Sequence, residues 1–172
     1  MFTVQDIKRE YERLDSLTGN TISKIELEIS NRLAKTRGKY CFEYLLKNKK
    51  IISEKIVIAS FVLTEDEKFF METIRHEYAH AMRERNYGVN DGESHDFLWK
   101  KCCEIVGCKG EATTEATEQQ KAVLKNRKKY RIQCFNCGKV WTFHRKCKKM
   151  ELALSGECFC PYCQSDKFFL EN

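Results

Sequence analysis

The chain has 172 residues, with 31 Lys and Arg against 25 Asp and Glu, and ten Cys. One Pro, eight Gly and 42% hydrophobic residues exclude collagen-like, Pro/Gly-rich and intrinsically disordered sequences. No apolar run approaches the roughly 20 residues of a membrane-spanning helix, and Met1 to Glu10 lack the apolar stretch of a secretory signal. The expectation is a soluble, cytoplasmic protein with no membrane partner, whose close Cys pairs serve as metal ligands or small buried residues rather than as disulfides.

Charge is unevenly placed. Residues 121–172 hold 12 Lys or Arg against four acids, a net of +8, which leaves −2 for residues 1–120. The basic character belongs to the C-terminal third, and a module of that kind suits a polyanionic partner.

In chain order, Val4, Ile7, Tyr11, Leu14 and Leu17 recur at helical spacing, so a helix is expected over 4–17. Residues 25–29 alternate with period two, and 40–45 and 55–59 are further strand candidates on either side of the charged turn 47–50. Thr64-Glu65-Asp66-Glu67 reads as a capping box that opens a helix running to about Arg85, with Gly88 as its stop. A second helix is expected from a Ser94 cap to Gly107, its apolar face made of Leu98, Cys102, Ile105 and Val106. This is an α+β pattern, a small sheet packed on helices, over residues 1–109. Residues 110–129 read as a linker, in part helical, and residues 130–172 as a separate module near the size that needs a staple.

Within the capped helix lies His76-Glu77-Tyr78-Ala79-His80. Residues four apart share a helix face, so His76 and His80 can offer two imidazoles to one metal, with Glu77 beside them. Zinc is the usual metal for such a pair; it polarises a carbonyl and acidifies a water whose proton Glu77 can take and pass to a leaving amine. Chance would give this pattern in only about 0.01 of chains with this His and Glu content. A third ligand is required. His95 is the only other histidine in this half of the chain, and Glu104 and Asp96 are the other candidates. The metzincin pattern is excluded by Arg83 and Asn86.

Towards the C-terminus, Cys134 and Cys137 form one Cys-x-x-Cys knuckle and Cys160 and Cys163 a second, with 22 residues between the two. Four thiolates close a tetrahedral site with no open position, so this zinc should be structural. Cys158 and Cys147 are spare candidates. Between the knuckles, Lys139, Trp141, Arg145, Lys146, Lys148 and Lys149 combine cations with an aromatic ring, as single-stranded nucleic acid requires, and Lys125 to Arg131 extend the basic stretch. The competing reading makes Trp141 and Phe143 the small core of this module.

The His-Glu-x-x-His motif, the downstream His95-Asp96-Phe97-Leu98-Trp99, the strand 25–30 and the N-terminal helix together resemble the SprT-like metallopeptidase domain over roughly residues 2–108. That family includes the Spartan proteases, which degrade proteins crosslinked to DNA. The resemblance implies a zincin-like fold with an active-site helix, zinc on His76, His80 and His95, and Glu77 as general base. A C-terminal zinc ribbon also recurs in bacterial SprT-like proteins. The family commonly has Gly where this chain has Asp96, while Trp99 keeps the family's aromatic.

The expectation is therefore a zinc endopeptidase with one catalytic and one structural zinc, acting on DNA-associated or DNA-crosslinked proteins. Its ribbon would bind DNA that is at least partly single-stranded, placing the protein on the nucleoid or chromatin. The rival readings are an inactive nucleic-acid-binding adaptor and a general cytosolic zinc peptidase whose ribbon binds protein. Tyr87, Arg75 and His144 are candidates for stabilising the oxyanion.

Overall fold

A computed structural model describes residues 1–90, 92–111, 115–125 and 129–171. The chain forms two compact units, Met1–Leu124 and Lys125–Asn172. Among the described residues, no helix is long and apolar enough to cross a membrane.

The first unit opens with α1 (Val4–Thr18), held at its start by a reciprocal Thr3/Asp6 capping box and closed by Gly19 in the left-handed conformation. Its Ile7, Tyr11 and Leu14 are buried. A 3-10 turn leads to β1 (Glu26–Ser30), then β2 (Gly38–Tyr44) and β3 (Ile51–Ala59). The sheet order is β1-β3-β2, with β1 parallel and β2 antiparallel to the central β3. Strand β3 carries the continuous apolar run and is buried over Ile56 to Ala59, as a central strand covered on both faces must be.

After a second 3-10 turn comes α2 (Glu67–Tyr87), followed by α3 (Phe97–Val106) and α4 (Glu118–Lys125). Two helix starts differ from the sequence reading. The 3-10 turn after β3 continues through Thr64, whose hydroxyl donates to the Phe61 carbonyl, so the cap of α2 is Asp66, accepting from the Phe69 amide at 2.9 Å. Likewise Asp96, not Ser94, caps α3, accepting from the Trp99 amide at 2.8 Å. Its buried face is also turned by about one position, to Trp99, Cys102, Cys103 and Val106, while Ile105 is exposed. The rotation puts the largest apolar side chain of the segment, Trp99, in the core.

Helix α2 is fixed by its inner side. Phe70, Ile74, Tyr78 and Ala81 are fully buried. The Tyr11 hydroxyl donates to the Ile74 carbonyl at 3.0 Å, and the Tyr78 hydroxyl lies 2.8 Å from both Asp15 and Thr18. With Tyr78 anchored to the end of α1, its helical neighbours His76, Glu77 and His80 turn the other way, towards the sheet and α3.

The stretch read as a linker contains α4. Its Gln120 is buried and donates to the Ala34 and Lys35 carbonyls at 3.1 and 3.0 Å, and Val123 packs on the core, so this helix joins the first unit. Residues 112–114 of that stretch, and Arg127 and Lys128 of the basic run, lie outside the described residues.

The second unit is a three-stranded antiparallel sheet, β4 (Tyr130–Cys134), β5 (Val140–Phe143) and β6 (Phe168–Glu171) in the order β5-β4-β6, with the short helix α5 (Lys148–Leu154). Among the described residues its apolar cluster has Ile132, Met150 and Ala153 buried, with Trp141, Phe143, Cys147, Cys158 and Phe168 among those partly buried around them.

Candidate metal centres and active-site cleft

Among the described residues, two sets of side chains converge as metal-ligand groups: His76, His80 and His95 in the first unit, and Cys134, Cys137, Cys160 and Cys163 in the second. In the first, the Nε2 atom of His76 lies 3.2 Å from that of His80 and 3.3 Å from that of His95. Zinc–nitrogen bonds of about 2.0–2.1 Å in a tetrahedron put ligand nitrogens about 3.3–3.4 Å apart, so the histidine spacing fits one zinc with a coordination position left open. In the second, the Sγ atoms of Cys134 and Cys163, and of Cys137 and Cys160, are 3.5 Å apart. Zinc–thiolate bonds of about 2.3 Å imply an edge near 3.8 Å, a few tenths longer, and the four thiols fit a closed site.

The weighed alternatives fall elsewhere. Glu104 is exposed on α3 and outside the histidine group. Asp96 caps α3 and pairs with Arg83. Cys147 and Cys158 pack against the apolar cluster of the second unit, whereas Cys160 joins the thiol group.

Trp99 forms the floor of the histidine group. Its ring centroid lies 4.9, 5.1 and 4.3 Å from those of His76, His80 and His95, and it is fully buried. Burial lowers the His76 imidazole to about 4 and His80 to about 3, the neighbouring histidines adding repulsion, and burial lowers His95 as well. All three rings are neutral at neutral pH, the form that ligates a metal.

Glu77 is buried beside them at 4% exposure, and its Oε2 has no hydrogen-bond partner among the described residues. Burial raises its carboxyl to about 8, against the opposing pull of the Tyr40 backbone amide. Strand β2 passes so close that a Cβ on Gly38 would lie 2.8–2.9 Å from the Glu77 carboxyl group. The absence of a side chain at Gly38 is what lets the helix carboxylate and the strand meet.

The groups share a cleft of about 430 Å³ between β2 and the His95 loop, with Arg37, Tyr40, Phe42 and Thr73 also on its walls. The sequence reading missed Gly38, the Tyr40 amide and Arg37, whose guanidinium stacks on Phe69 and donates to the Glu115 carbonyl at 2.9 Å. Among the described residues of the first unit, neither Arg75 nor Tyr87 lines this cleft: Arg75 is held by Glu10 and the Gly107 carbonyl, and Tyr87 is exposed at the end of α2. His144, the third oxyanion candidate, belongs to the second unit.

In the second unit, Lys139, Arg145, Lys146, Lys148 and Lys149 are exposed, while Trp141 is half-buried against the apolar cluster and Phe168. The Lys139 ammonium sits 5.0 Å from the centre of the Tyr162 ring. Tyr162, Phe135 and Phe159 are more than three-fifths exposed, and they are aromatic rings the sequence reading did not single out.

An α+β unit that presents a His-Glu-x-x-His helix, a third histidine from the next helix start and a buried glutamate in an open cleft has the build of a zinc metallopeptidase-like domain. A model of the SprT-like family matches residues 5–121, and the chain belongs to that family. No individual curated protein matches the sequence.

Proposed function

We propose that the protein is a zinc-dependent endopeptidase that acts on DNA-associated or DNA-crosslinked proteins, with the C-terminal module holding nucleic acid. The observation that carries the peptidase reading is the convergence of three neutral imidazoles on one point beside the buried Glu77 carboxyl group, whose Oε2 has no partner among the described residues, in an open cleft of about 430 Å³. His76, His80 and His95 would hold zinc, which supplies Lewis acidity for a carbonyl and brings a water's pKa towards neutrality. The charge of a zinc ion held there would favour the ionised form of Glu77 against the effect of burial, so that its carboxylate can take a proton at Oε2 and return it to the leaving amine, with the Tyr40 amide and Gly38 setting the direction in which that oxygen points.

Support for the nucleic-acid reading lies in the placement of charge. Lys148 and Lys149 stand in the first turn of α5, where cations oppose the helix dipole and do not favour the helix. Their presence there, with Lys139, Arg145 and Lys146 nearby in sequence and Lys139 over an exposed ring, suits phosphate contacts and base stacking. Trp141 contributes one edge at most, because its other side is occupied by the core. Holding DNA would raise the local concentration of DNA-bound substrate without a sequence-specific pocket, and would place the protein on the nucleoid or chromatin.

The test compares cleavage of one protein substrate, free and covalently attached to single-stranded DNA, alongside zinc analysis. The expected results are two zinc ions per chain, falling to one in His76→Ala, and faster cleavage of the attached substrate with an advantage that fades as salt rises. One zinc that is insensitive to His76→Ala would mean an adaptor. Cleavage indifferent to DNA and salt would mean a general peptidase.

Gly38 gives a further expected result. Its backbone is not in the left-handed region, so Gly38→Ala should fold and keep both zinc ions, yet the new Cβ must displace the Glu77 carboxylate. A shift near 1 Å in a reacting group lowers rate by about 10²-fold, which kcat on a peptide substrate would read.

A further inference from the structure

Of the three histidines, His95 has the least support of its own. It is less deeply buried than the two on α2, and its Nδ1 lies 3.3 Å from the hydroxyl of the adjacent Ser94. It also comes from the segment that joins α2 to α3, whereas His76 and His80 sit on a regular helix. Something must set where that segment ends.

The side chain in position to do so is Arg83, on α2 three residues beyond His80 and 6% exposed. Its Nη1 donates to the Gly88 carbonyl at 2.5 Å, where the segment leaves α2. Its Nε and Nη2 donate to one carboxylate oxygen of Asp96 at 3.1 and 2.5 Å, where the segment enters α3. The same Asp96 oxygen accepts from the Asn90 side chain at 3.0 Å, and the other caps α3. One guanidinium thus ties both ends of the segment to the helix that carries His76 and His80. A planar fork of five donors can do this, whereas a lysine ammonium cannot reproduce the geometry.

We propose that Arg83 is a positioning residue for the metal ligand His95, acting through Asp96 to hold the imidazole at the distance from His76 and His80 that one metal ion requires. The inference rests on the reading of the three histidines as a metal site. It predicts that a residue with no contact to the metal controls affinity at that site, in the range of about 10–100-fold seen for outer partners of metal ligands.

The test uses the full chain titrated with cobalt(II), because thiolate charge-transfer bands arise only from the cysteine site, and the ligand-field bands of a histidine-bound cobalt lie at shorter wavelength than those of a four-thiolate one. Arg83→Met and Arg83→Lys should each weaken binding at the histidine site about 10–100-fold, with the thiolate bands and far-UV circular dichroism unchanged. In a His95→Ala background, Arg83→Met should cause no further loss, since its effect runs through the missing ligand. Should Arg83→Met unfold, Asp96→Asn keeps a competent helix cap while removing the charged partner, and should weaken the histidine site by about tenfold or more. Wild-type affinity in Arg83→Met or Asp96→Asn, or an equal loss with and without His95, would overturn the positioning role alone. If the wild-type histidine site takes no metal, the metal-site reading falls and this inference with it.

Discussion

Glu77→Gln is expected to retain zinc at both sites and to lose peptide-bond cleavage by about 10²–10⁴-fold, the usual contribution of a positioned acid–base group. Glutamine matches glutamate in size, so the contact with Gly38 and the hydrogen bond from the Tyr40 amide to the remaining carbonyl oxygen can persist. What disappears is an oxygen able to take a proton, at a position where no hydrogen-bonding group among the described residues touches it. The loss should fall on kcat with KM little changed, because Glu77 reaches the reacting atoms and not the rest of a bound peptide. The measurement is single-turnover cleavage of a labelled peptide, with zinc quantified in the same samples. Full activity in the variant would remove Glu77 from the assigned role, and loss of zinc together with activity would show that the glutamate supports the metal site. Gly38→Ala provides the complement: it leaves the carboxylate's chemistry intact and moves it. A fall in both variants with zinc retained in both points to the proton-accepting oxygen and its direction as separate requirements.

Much of this centre was legible from spacing. The four-residue interval of His76 and His80 is a property of the helix itself, so the helix and the two-ligand face are read together. The four cysteines form two local knuckles, again a short-range signal. His95 followed from the scarcity of histidines and from family resemblance. What could not be read depends on packing across distant elements. Gly38 matters because β2 crosses α2, a contact between residues 39 positions apart in the chain, and a glycine at a strand start carries no mark of that approach. The cap positions were misread for a related reason. Thr64, Asp66, Ser94 and Asp96 are all good caps, and the choice among them was made by a 3-10 turn leaving β3 in one case and by Arg83 drawing Asp96 to the end of α3 in the other. The same pull explains Asp96 itself. In place of the family's Gly, its carboxylate is directed to Arg83, Asn90 and the Trp99 amide rather than to the His95 ring.

Cys160→Ser should unfold the second unit while leaving the first intact. Three fully or nearly buried apolar side chains, Ile132, Met150 and Ala153, cannot offset the ordering of some 40 residues, which costs about 1–2 kcal/mol each in backbone entropy alone. Structural zinc in peptides of this size supplies apparent binding free energies of about 10–16 kcal/mol, and on the proposed zinc at the four thiols that is the term the substitution would remove. Cys160 is the more telling choice of the four because it is fully buried, so a serine hydroxyl there meets no water in exchange. The chain's two tryptophans separate the units: Trp99 lies under the histidine group and Trp141 against the apolar cluster of the second unit. In a Trp99→Phe background that isolates Trp141, emission of Cys160→Ser should shift to the red. Zinc content should fall by one ion while the histidine site still binds metal. If the proposed division of labour holds, the variant should cleave a free peptide at the wild-type rate and lose its preference for DNA-attached substrate. A folded second unit without its zinc would mean that the sheet stands on its apolar contacts, and loss of free-peptide cleavage would mean that the module serves the active site as well as the DNA.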